Sequence, residues 1–461
     1  MNDTGNKWLQ HIILLTGPLL AVIDVFIVNI AVPSIKHSLS ASDGEVELVI
    51  AAYLLGYASF QITGGRAGDI FGRKTIFFWG MFFFVLSSAL CGVAVNIEML
   101  IIARFFQGLS GAFMTPQSLA YLQILFPQVK ERTKAVGMVG ITLGLASILG
   151  QFLGGYFSEF KSLIEGWRFI FFINIPVGIV SLWATSRYLV NTPQNLKERF
   201  DYSGVALLTL TLGCLIFPLT VGRELGWPWW SLLLVCLSFI LVFILLTDQK
   251  RKQRQGRSLL IDLRLFQIKD FNLGILVVIF YFMVHTSYLL VSTIYLQNGL
   301  HYSPFQAGMF FVCAGVCFIL SSFISIRLVQ RFGKLPILIG TLLLICCYGL
   351  QAYFFDDRVS ETLLITVLML WGIAGGMVLP SLINITLKNV PRQFVGIASG
   401  VYNTVQQAAS SIGICLIGGL FFAFSASRSD VVAAFHYSLY AGLLCLMVIV
   451  VLLFRIDDFK K

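Results

Sequence analysis

The sequence predicts an all-α integral membrane protein with fourteen transmembrane helices. Hydrophobic residues make up 57% of the chain and charged residues only 12%, whereas an ordinary soluble domain has about 25% charged residues. The mean hydropathy is +0.87, and the apolar residues form continuous blocks of about 20 residues, the length of helix that crosses a bilayer. Such blocks exclude a soluble enzyme, and because they do not alternate with polar residues they also exclude a β-barrel.

Fourteen apolar spans follow one another along the chain, and short connections join most of them. Two connections are longer, residues 191–202 and residues 248–270, and the second contains the basic run DQKRKQRQGR. The predicted limits of the spans are residues 10–33, 46–65, 75–95, 98–123, 135–157, 168–190, 203–222, 228–248, 271–297, 305–328, 335–355, 361–387, 394–424 and 432–454.

Two pairs of similar motifs indicate an internal repeat. The second span is followed by Arg66-x-x-Asp69-x-Phe71-Gly72-Arg73 and the tenth, at an offset of 261 residues, by Arg327-x-x-Gln330-x-Phe332-Gly333-Lys334. The fourth span contains Gly108-x-x-Gly111 before Pro116 and the twelfth, at an offset of 264 residues, Gly372-x-x-Gly375 before Pro380. Two pseudo-symmetric six-helix bundles and an inserted helix pair are therefore expected, as in secondary transporters. The predicted domains are residues 1–190, 191–270 and 271–461.

The basic residues predict the orientation of the chain in the membrane. Of the 32 Lys and Arg residues, 25 fall on the side of the N-terminus, six fall on the opposite side, and Arg104 falls within a span. Because positively charged loops stay in the cytoplasm, both termini are expected there, in a plasma membrane such as the bacterial inner membrane. The net charge of +10 is thus expected to reflect topology, and no nucleic-acid partner is predicted.

Two charged residues lie well inside apolar spans, Asp24 in the first and Arg104 in the fourth. A charge at the bilayer centre costs about 2.5–3.5 kcal/mol or more, so it persists where it faces a cavity or a partner. One hypothesis makes both residues proton-coupling groups, with Asp24 loading and releasing a proton inside a cavity. The alternative is a structural tether, in which the two side chains pair or Arg104 bonds to carbonyl and Gln groups.

Five motifs occur in order along the chain: Ile23-Asp24-x4-Asn29-Ile-Ala31-Val-Pro33, Gly65-Arg-Ala-Gly68-Asp69-Ile-Phe-Gly72-Arg73-Lys74, Leu100-Ile-Ile-Ala-Arg104-Phe-Phe-Gln107-Gly108, Trp167-Arg168-Phe-Ile-Phe-Phe-Ile-Asn174-Ile-Pro176-Val-Gly178 and Tyr295-Leu-Gln297-Asn-Gly-Leu-His-Tyr-Ser303-Pro304. One motif alone could arise by chance, but five in order are specific. Together they resemble the motifs of the major facilitator superfamily, and specifically of its fourteen-helix drug:proton antiporter branch.

The resemblance implies a proton-coupled secondary transporter that exports amphipathic or cationic drugs by alternating access. It implies a small-molecule substrate and protons as partners, a lipid bilayer as surroundings, no enzyme activity, and no cofactor besides the proton gradient; a monomer is expected. Proton-coupled transport of one specific metabolite on the same fold is the alternative. A receptor or scaffold without transport fits poorly with the retained Asp24, Arg104 and Asp69, and an ATP-driven pump would need a GxxxxGK[ST] loop.

The motif after the second span has two interpretations. Its glycines permit a tight turn, and Asp69 could bond to Arg73 or to a basic residue of another helix and so hold one conformational state. The resemblance favours this conformational latch, formed by Gly65, Asp69, Gly72 and Arg73. The alternative is a positively charged turn that only sets topology.

The fifth span carries an incomplete form of the antiporter motif. The family pattern places Gly-Pro before a pair of glycines, whereas this chain has Gly150, Gln151, Gly154 and Gly155, with Ala146 in place of an earlier glycine. A small-residue face for close helix packing is therefore kept, but the proline that bends the helix is missing.

The repeat also selects a residue of the second half. The offset of 261 residues leads from Asp24 to His285, in the middle of the ninth span. Because histidine is the side chain that titrates near neutral pH, His285 is a candidate second proton-coupling residue. The alternative is a neutral histidine that bonds to a tyrosine or to the backbone inside the bundle.

The substrate cavity is expected to be lined by amide and aromatic side chains with few charges, which suits amphipathic or cationic ligands. No metal site is predicted, because the nine cysteines are scattered through apolar spans. The candidate cavity residues are Asn29, Tyr53, Tyr57, Gln61, Gln117, Tyr288, Tyr402, Asn403, Gln406 and Gln407.

Overall fold

The computed structural model describes residues 4–160, 164–192, 200–391, 394–428 and 430–456, so the predicted connection 191–202 falls mostly outside the described residues. The described part contains fourteen helices long and apolar enough to cross a membrane, which confirms the predicted fold class. The helices are α1 (Thr4–Ser38), α2 (Asp43–Phe71), α3 (Arg73–Gly92), α4 (Ile97–Leu125), α5 (Val129–Glu159), α6 (Gly166–Tyr188), α7 (Tyr202–Glu224), α8 (Trp229–Arg254), α9 (Lys269–Gly299), α10 (Pro304–Phe332), α11 (Leu335–Phe354), α12 (Glu361–Leu387), α13 (Val395–Gly413, continued by Ile414–Gly418 and Gly419–Arg428) and α14 (Val431–Arg455).

An even number of crossings places both ends of the described chain on one side of the bundle, here called the terminal face; the other side is the distal face. At the distal face α2 begins after Ser42, whose side chain forms a capping box with Glu45. Likewise α10 begins after Ser303, which forms a capping box with Gln306. Such boxes satisfy backbone N–H groups that a helix start leaves free. Ser42 and Ser303 are 261 residues apart, so the repeat is visible in the caps.

Two glycines at the terminal face turn the chain sharply from one helix into the next. Gly72 joins α2 to α3 with φ +89°, and Gly333 joins α10 to α11 with φ +62°. Residues other than glycine are strained at such angles. These two positions are again 261 residues apart, so each half uses the same turn to reverse direction.

Glycines also set the closest helix contacts within each half. A Cβ atom added at Gly108 would lie 1.9 Å from the carbonyl oxygen of Tyr53, so α4 touches the backbone of α2. A Cβ atom at Gly372 would lie 2.1 Å from the carbonyl oxygen of Ala314, so α12 touches α10 in the same way. Small residues permit this backbone contact between membrane helices, and larger ones at these two positions would separate the helices.

The two halves meet along α5 and α10, which run antiparallel. Near the distal face, a Cβ atom at Gly155 would lie 2.6 Å from the carbonyl oxygen of Pro304. Further along, a Cβ atom at Gly144 would lie 2.7 Å from the Ile319 side chain. Closer to the terminal face, a Cβ atom at Gly137 would have no heavy atom within 4 Å in the described part of the chain. This seam is therefore closed toward the distal face and diverges toward the terminal face.

A second seam runs between α2 and α13. Ser411 Oγ donates to the carbonyl oxygen of Ala51 at 3.4 Å, in the distal half of α2. Nearer the terminal face, a Cβ atom at Gly400 of α13 would lie 3.3 Å from the Ile62 side chain of α2, so the two helices stay in contact there. Both seams are thus closed toward the distal face, and the divergence of α5 from α10 leaves a cleft between these two helices at the terminal face.

Asp201, in front of α7, ties the helix pair α7 and α8 to the linker that follows it. Its carboxylate accepts hydrogen bonds from Gln249 Nε2 at 2.6 Å, Gly204 N at 2.8 Å and Leu260 N at 3.0 Å, and it pairs with Lys252. Burial opposes charge on this carboxyl group, but these bonds outweigh that effect and hold the pKa of Asp201 below its usual range. The linker is therefore anchored to both ends of the pair.

We expect the change Gly155→Ala to weaken the distal seam, because the added methyl group meets the Pro304 backbone. Overpacking of this kind typically costs about 1–3 kcal/mol. The matched control is Gly137→Ala on the same helix, where the added methyl group points into open space. This control measures the stabilisation that comes from the higher helix propensity of alanine alone. Thermal unfolding in detergent should give a lower Tm for Gly155→Ala than for Gly137→Ala; equal values would show that the seam tolerates the methyl group.

Candidate functional site

A buried ion pair lies among the helices of the first half. Asp24 of α1 and Arg104 of α4 are both 0% exposed, and Arg104 Nη1 contacts Asp24 Oδ2. The other carboxylate oxygen, Oδ1, accepts hydrogen bonds from Gln107 Nε2 at 2.8 Å and from Asn174 Nδ2 at 3.1 Å. Pairing and hydrogen bonding offset the loss of water around both charges. The structural-tether hypothesis describes this direct pairing of the two side chains. A role of the pair in proton coupling stays a prediction.

Arg104 also joins α4 to α2. Its Nε donates to the carbonyl oxygen of Val49 at 3.2 Å, and its guanidinium lies over the ring of Tyr53, 4.3 Å from the centroid. This cation–π contact helps to stabilise the buried guanidinium group. Arg104 Nη2 has no hydrogen-bond partner among the described residues. Since buried polar groups are nearly always bonded, this donor marks a place that a water molecule or a rearranged acceptor can occupy.

Ser88 of α3 completes the polar network. Its oxygen accepts hydrogen bonds from Gln107 Nε2 at 3.1 Å and from Asn174 Nδ2 at 2.9 Å, and its hydroxyl donates to the Phe171 carbonyl oxygen at 2.9 Å. Ser88, Gln107 and Asn174 are all 0% exposed. The network therefore links α1, α2, α3, α4 and α6 around one carboxylate, sealed from the open cleft.

The structure places His285 at the position equivalent to Asp24 but in different surroundings. Its ring is stacked between Tyr281 and Trp371, with centroid distances of 5.5 and 5.4 Å. Trp371 lies 264 residues after Gln107, the partner of Asp24. The repeat thus brings the same two positions together in each half, as a polar pair in the first and an aromatic stack in the second. His285 is only partly buried, and it does not contact Asp24.

Three predicted cavity residues lie inside a bundle and away from the cleft surface. The buried Tyr53 covers the guanidinium described above and donates to a carbonyl of α1. Gln117 is 0% exposed and donates to the Gly64 carbonyl oxygen at 2.7 Å. Tyr288 stacks within the second half and donates to Gln351 Oε1 at 3.0 Å. Their side chains take part in helix packing in this conformation, and their place in the substrate cavity stays a prediction.

The other predicted cavity residues keep polar atoms available or remain partly exposed. Asn29 is 0% exposed, and neither its amide oxygen nor its nitrogen has a partner among the described residues. The same holds for Gln61 Oε1. Unpartnered buried amides are candidates for bonds to water or ligand. Tyr57 and Tyr402 are buried, whereas Asn403, Gln406 and Gln407 on α13 are partly exposed.

The predicted latch loop is held within the first half. Asp69 pairs with Arg73, four residues later. Arg73 N donates to Thr192 Oγ1 at 3.0 Å, beyond the end of α6, and a Cβ atom at Gly68 would lie 2.0 Å from Gln117 Oε1 of α4. The Asp69 side chain is nevertheless 40% exposed. The loop is therefore firmly placed while its carboxylate stays accessible to a further partner.

The glycines of the fifth-helix motif face two different neighbours. Gly150 and Gly154 pack against α1, and a Cβ atom at Gly154 would lie 2.7 Å from the Ile27 carbonyl oxygen. Gly155 instead faces α10 at the distal seam, where the Gln151 carbonyl oxygen also lies against a glycine of α10. The incomplete motif thus provides close packing inside the first half and between the halves.

A sequence model of the family described as the Major Facilitator Superfamily matches residues 14–204 and 197–414. The chain belongs to the major facilitator superfamily. The membership predicted from the five motifs is confirmed, and the fourteen described helices agree with the fourteen-helix branch. A superfamily transporter is a multi-pass membrane protein and not an enzyme.

Its curated relatives are similar over most of their length. The "Probable actinorhodin transporter" of Streptomyces coelicolor is 30% identical over 433 residues, which cover 92% of this chain and 74% of that protein. The "Multidrug resistance protein Stp" of Mycobacterium tuberculosis is 29% identical over 414 residues, 88% of this chain and 74% of that protein. The fold of this chain is similar to that of a solved structure, a bacterial homolog of the human lysosomal transporter Spinster in an inward-facing, unoccupied conformation. That match has a TM-score of 0.70 and 16% identity and covers 100% of both chains.

Sequence reasoning missed three polar residues at the distal face of this superfamily member. Gln297 Nε2 donates to the Ile30 carbonyl oxygen at 2.9 Å and joins α9 to α1. Glu159 Oε1 accepts a hydrogen bond from Phe305 N at 2.7 Å and joins α5 to the start of α10. Glu47 of α2 is 0% exposed. The position of Gln297 in a motif was an available signal, whereas Glu47 lies at the start of the predicted span 46–65 and Glu159 just beyond the predicted span 135–157.

We expect Asp24→Asn to destabilise the protein by about 3–5 kcal/mol, because it leaves the Arg104 charge buried without its counter-charge. Adding Arg104→Gln should recover most of this loss, since a neutral pair needs no counter-charge. Glu98→Gln, which neutralises an exposed carboxylate, is the control for lost charge. The Tm values of the four purified proteins in detergent test this; if the single and double variants unfold at the same temperature, the ion pair is not the tether.

Proposed function

We propose that this superfamily transporter is a proton-coupled exporter of amphipathic or cationic drugs that works by alternating access. The observation that carries the proposal is the buried Asp24–Arg104 pair in a molecule whose α5–α10 seam is closed at the distal face and diverges toward the terminal face. Proteins named for multidrug resistance and for actinorhodin transport are 29% and 30% identical to it, which supports a drug-like substrate.

The proposed direction of transport depends on orientation. The concentration of Lys and Arg at the terminal face supports a cytoplasmic location of that face, in a bacterial inner membrane. The cleft then opens to the cytoplasm, and a drug enters from there or from the inner leaflet. Export requires the halves to rock so that the distal seams open and the terminal ends of the same helices close.

The distal contacts are suited to repeated opening. The bonds from Gln297 to Ile30 and from Phe305 to Glu159 are single hydrogen bonds between the halves. A typical hydrogen bond contributes about 0.5–1.5 kcal/mol net. Binding of a drug or a proton can therefore supply the free energy that is needed to open the distal seam. The latch loop is proposed to stabilise the opposite state, when the exposed Asp69 carboxylate approaches a partner on the second half.

Proton coupling is proposed to act through the buried pair. A proton on Asp24 removes the negative charge that balances Arg104, so the contact between α1 and α4 weakens when the proton binds. Because α1 also carries Ile30 of the distal seam, the change reaches the contact between the halves. His285, at the equivalent position of the second half, is proposed as a second proton-binding group.

The proposed cavity takes its polar groups from amides. Asn29 and Gln61 offer unpartnered buried atoms, and Asn403 and Gln406 offer partly exposed side chains on α13. Amides with few fixed charges accept many amphipathic molecules weakly, in line with a multidrug substrate range. A transporter of one metabolite would instead respond to a single compound, so a susceptibility panel in a pump-deficient bacterial host separates the two hypotheses.

We expect the double variant Asp24→Asn/Arg104→Gln to fold and to bind drug, yet to lose dye efflux driven by an imposed pH gradient in proteoliposomes. The reason is that the network then contains no carboxylate that can bind and release a proton. Glu98→Gln should retain parental efflux. In the same assay His285→Gln should reduce two transitions in the pH profile to one. Normal gradient-driven efflux by the double variant would assign the network a purely structural role.

We expect Asp69→Asn to slow turnover much more than it weakens drug binding, because the loop lies at the terminal face and away from the proposed cavity. Drug affinity is measured by fluorescence titration and turnover by efflux in proteoliposomes. The matched control is Asp43→Asn, an ion-paired carboxylate at the distal face. A parallel loss of affinity and turnover, or no loss of either, would count against the latch.

A further inference from the structure

The last turns of α8 carry a basic run that the proposed mechanism does not use. The run begins at Lys250 and ends at Arg257, just beyond the end of the helix at the terminal face. Four of its side chains are exposed and form no hydrogen bond or ion pair with the described residues; they are called the basic cluster and are Lys250, Arg251, Arg254 and Arg257. Because like charges at close range repel one another, the basic cluster favours an anionic partner from outside the described chain.

The fifth basic residue of the run, Lys252, points the other way. Its ammonium group pairs with Asp201 and Asp248 and takes part in anchoring the helix pair. Lys250 and Arg254 are each two residues away from Lys252, which places them about 200° around the helix from it. The inward position of the run is therefore explained by contacts inside the protein, whereas the outward positions are not.

The outward side of α8 is apolar until the basic cluster begins. Phe239 and Phe243 on this side are each 68% exposed. Lys250 follows Phe243 by about two turns and Arg254 follows it by about three, so both lie on the same side of the helix. Exposed apolar side chains on a membrane span contact lipid acyl chains. The helix therefore places a strip for acyl chains next to a group of cations at the membrane surface.

The end of α8 holds Arg257 close to the rest of the cluster. Gly256 has φ +63°, a backbone conformation that glycine adopts without strain. Gly256 N donates to the Gln253 carbonyl oxygen at 3.3 Å, and Arg257 N donates to the Lys252 carbonyl oxygen at 3.0 Å. These two bonds form a Schellman motif, which folds the chain back over the last helical turn. The backbone of the whole basic cluster is therefore fixed.

We propose that the basic cluster binds the phosphate groups of anionic phospholipids. Three of its members are arginines, whose guanidinium groups form paired hydrogen bonds with phosphate oxygens, and cations at a membrane surface attract anionic lipids. Free phosphate would contact the cations alone, whereas the acyl chains of a phospholipid also contact the apolar strip that includes Phe243. The partner is therefore a lipid of the leaflet at the terminal face. Neither the substrate nor the direction of transport enters this inference, which goes beyond the proposed function.

The test counts the lipids bound to the purified protein by native mass spectrometry. Dioleoyl phosphatidylglycerol and dioleoyl phosphatidylcholine, which share their acyl chains and differ in headgroup charge, are titrated separately. We expect the parent to bind the first phosphatidylglycerol at least about tenfold more tightly than phosphatidylcholine. The cluster variant Lys250→Gln/Arg251→Gln/Arg254→Gln/Arg257→Gln should lose most of this preference. The variant Arg251→Lys/Arg254→Lys/Arg257→Lys keeps the positive charge and should retain part of it.

The matched control removes four other exposed basic side chains at the terminal face, in the variant Lys134→Gln/Arg187→Gln/Arg327→Gln/Arg331→Gln. It should keep the parental preference, and inorganic phosphate at matched ionic strength should not displace the bound lipid. The inference is overturned by a parent without preference, by an unchanged preference in the cluster variant, by an equal loss in the control, or by displacement with inorganic phosphate. Should the cluster variant not fold, Lys250→Gln/Arg254→Gln replaces it with the same expectation.

Discussion

A charge held away from water has to be paired, and the Asp24–Arg104 pair imposes this constraint on the first half of the molecule. The contact fixes the rotation of α1 against α4. Gln107, one turn after Arg104, then points at the same carboxylate, and the next residue, Gly108, brings α4 onto the backbone of α2. Electrostatic pairing and close packing thus depend on one stretch of α4, so a change in either affects the other.

Contacts within the halves differ in kind from contacts between them. Inside the first half, a polar network links five helices, and glycines bring helix backbones into direct contact. Between the halves, the distal face is held by small-residue packing and by single hydrogen bonds such as that from Gln297. The stronger set keeps each half rigid, and the weaker set can be broken without unfolding. This difference is what alternating access requires of a two-part molecule.

The sequence predicted the helices and the repeat well because both depend on local composition and spacing. Long apolar runs identify membrane helices, and the offset of 261 residues reappears in the caps at Ser42 and Ser303. The cavity residues stay a prediction, because composition does not reveal which face of a helix meets its neighbours. Tyr53 and Gln117 were assigned to the cavity, yet both serve the packing of α2 against α4.

The repeat also shows where the two halves have diverged. Asp24 and Gln107 occupy the positions at which the second half has His285 and Trp371, so a hydrogen-bonded charge in one half corresponds to a stacked ring in the other. The second half instead contributes the two π-helical turns that meet the first half at the distal face. Since Glu47 lies on α2 and faces one of those turns, the distal seam is where a buried carboxyl group of the first half meets a π-helical turn of the second.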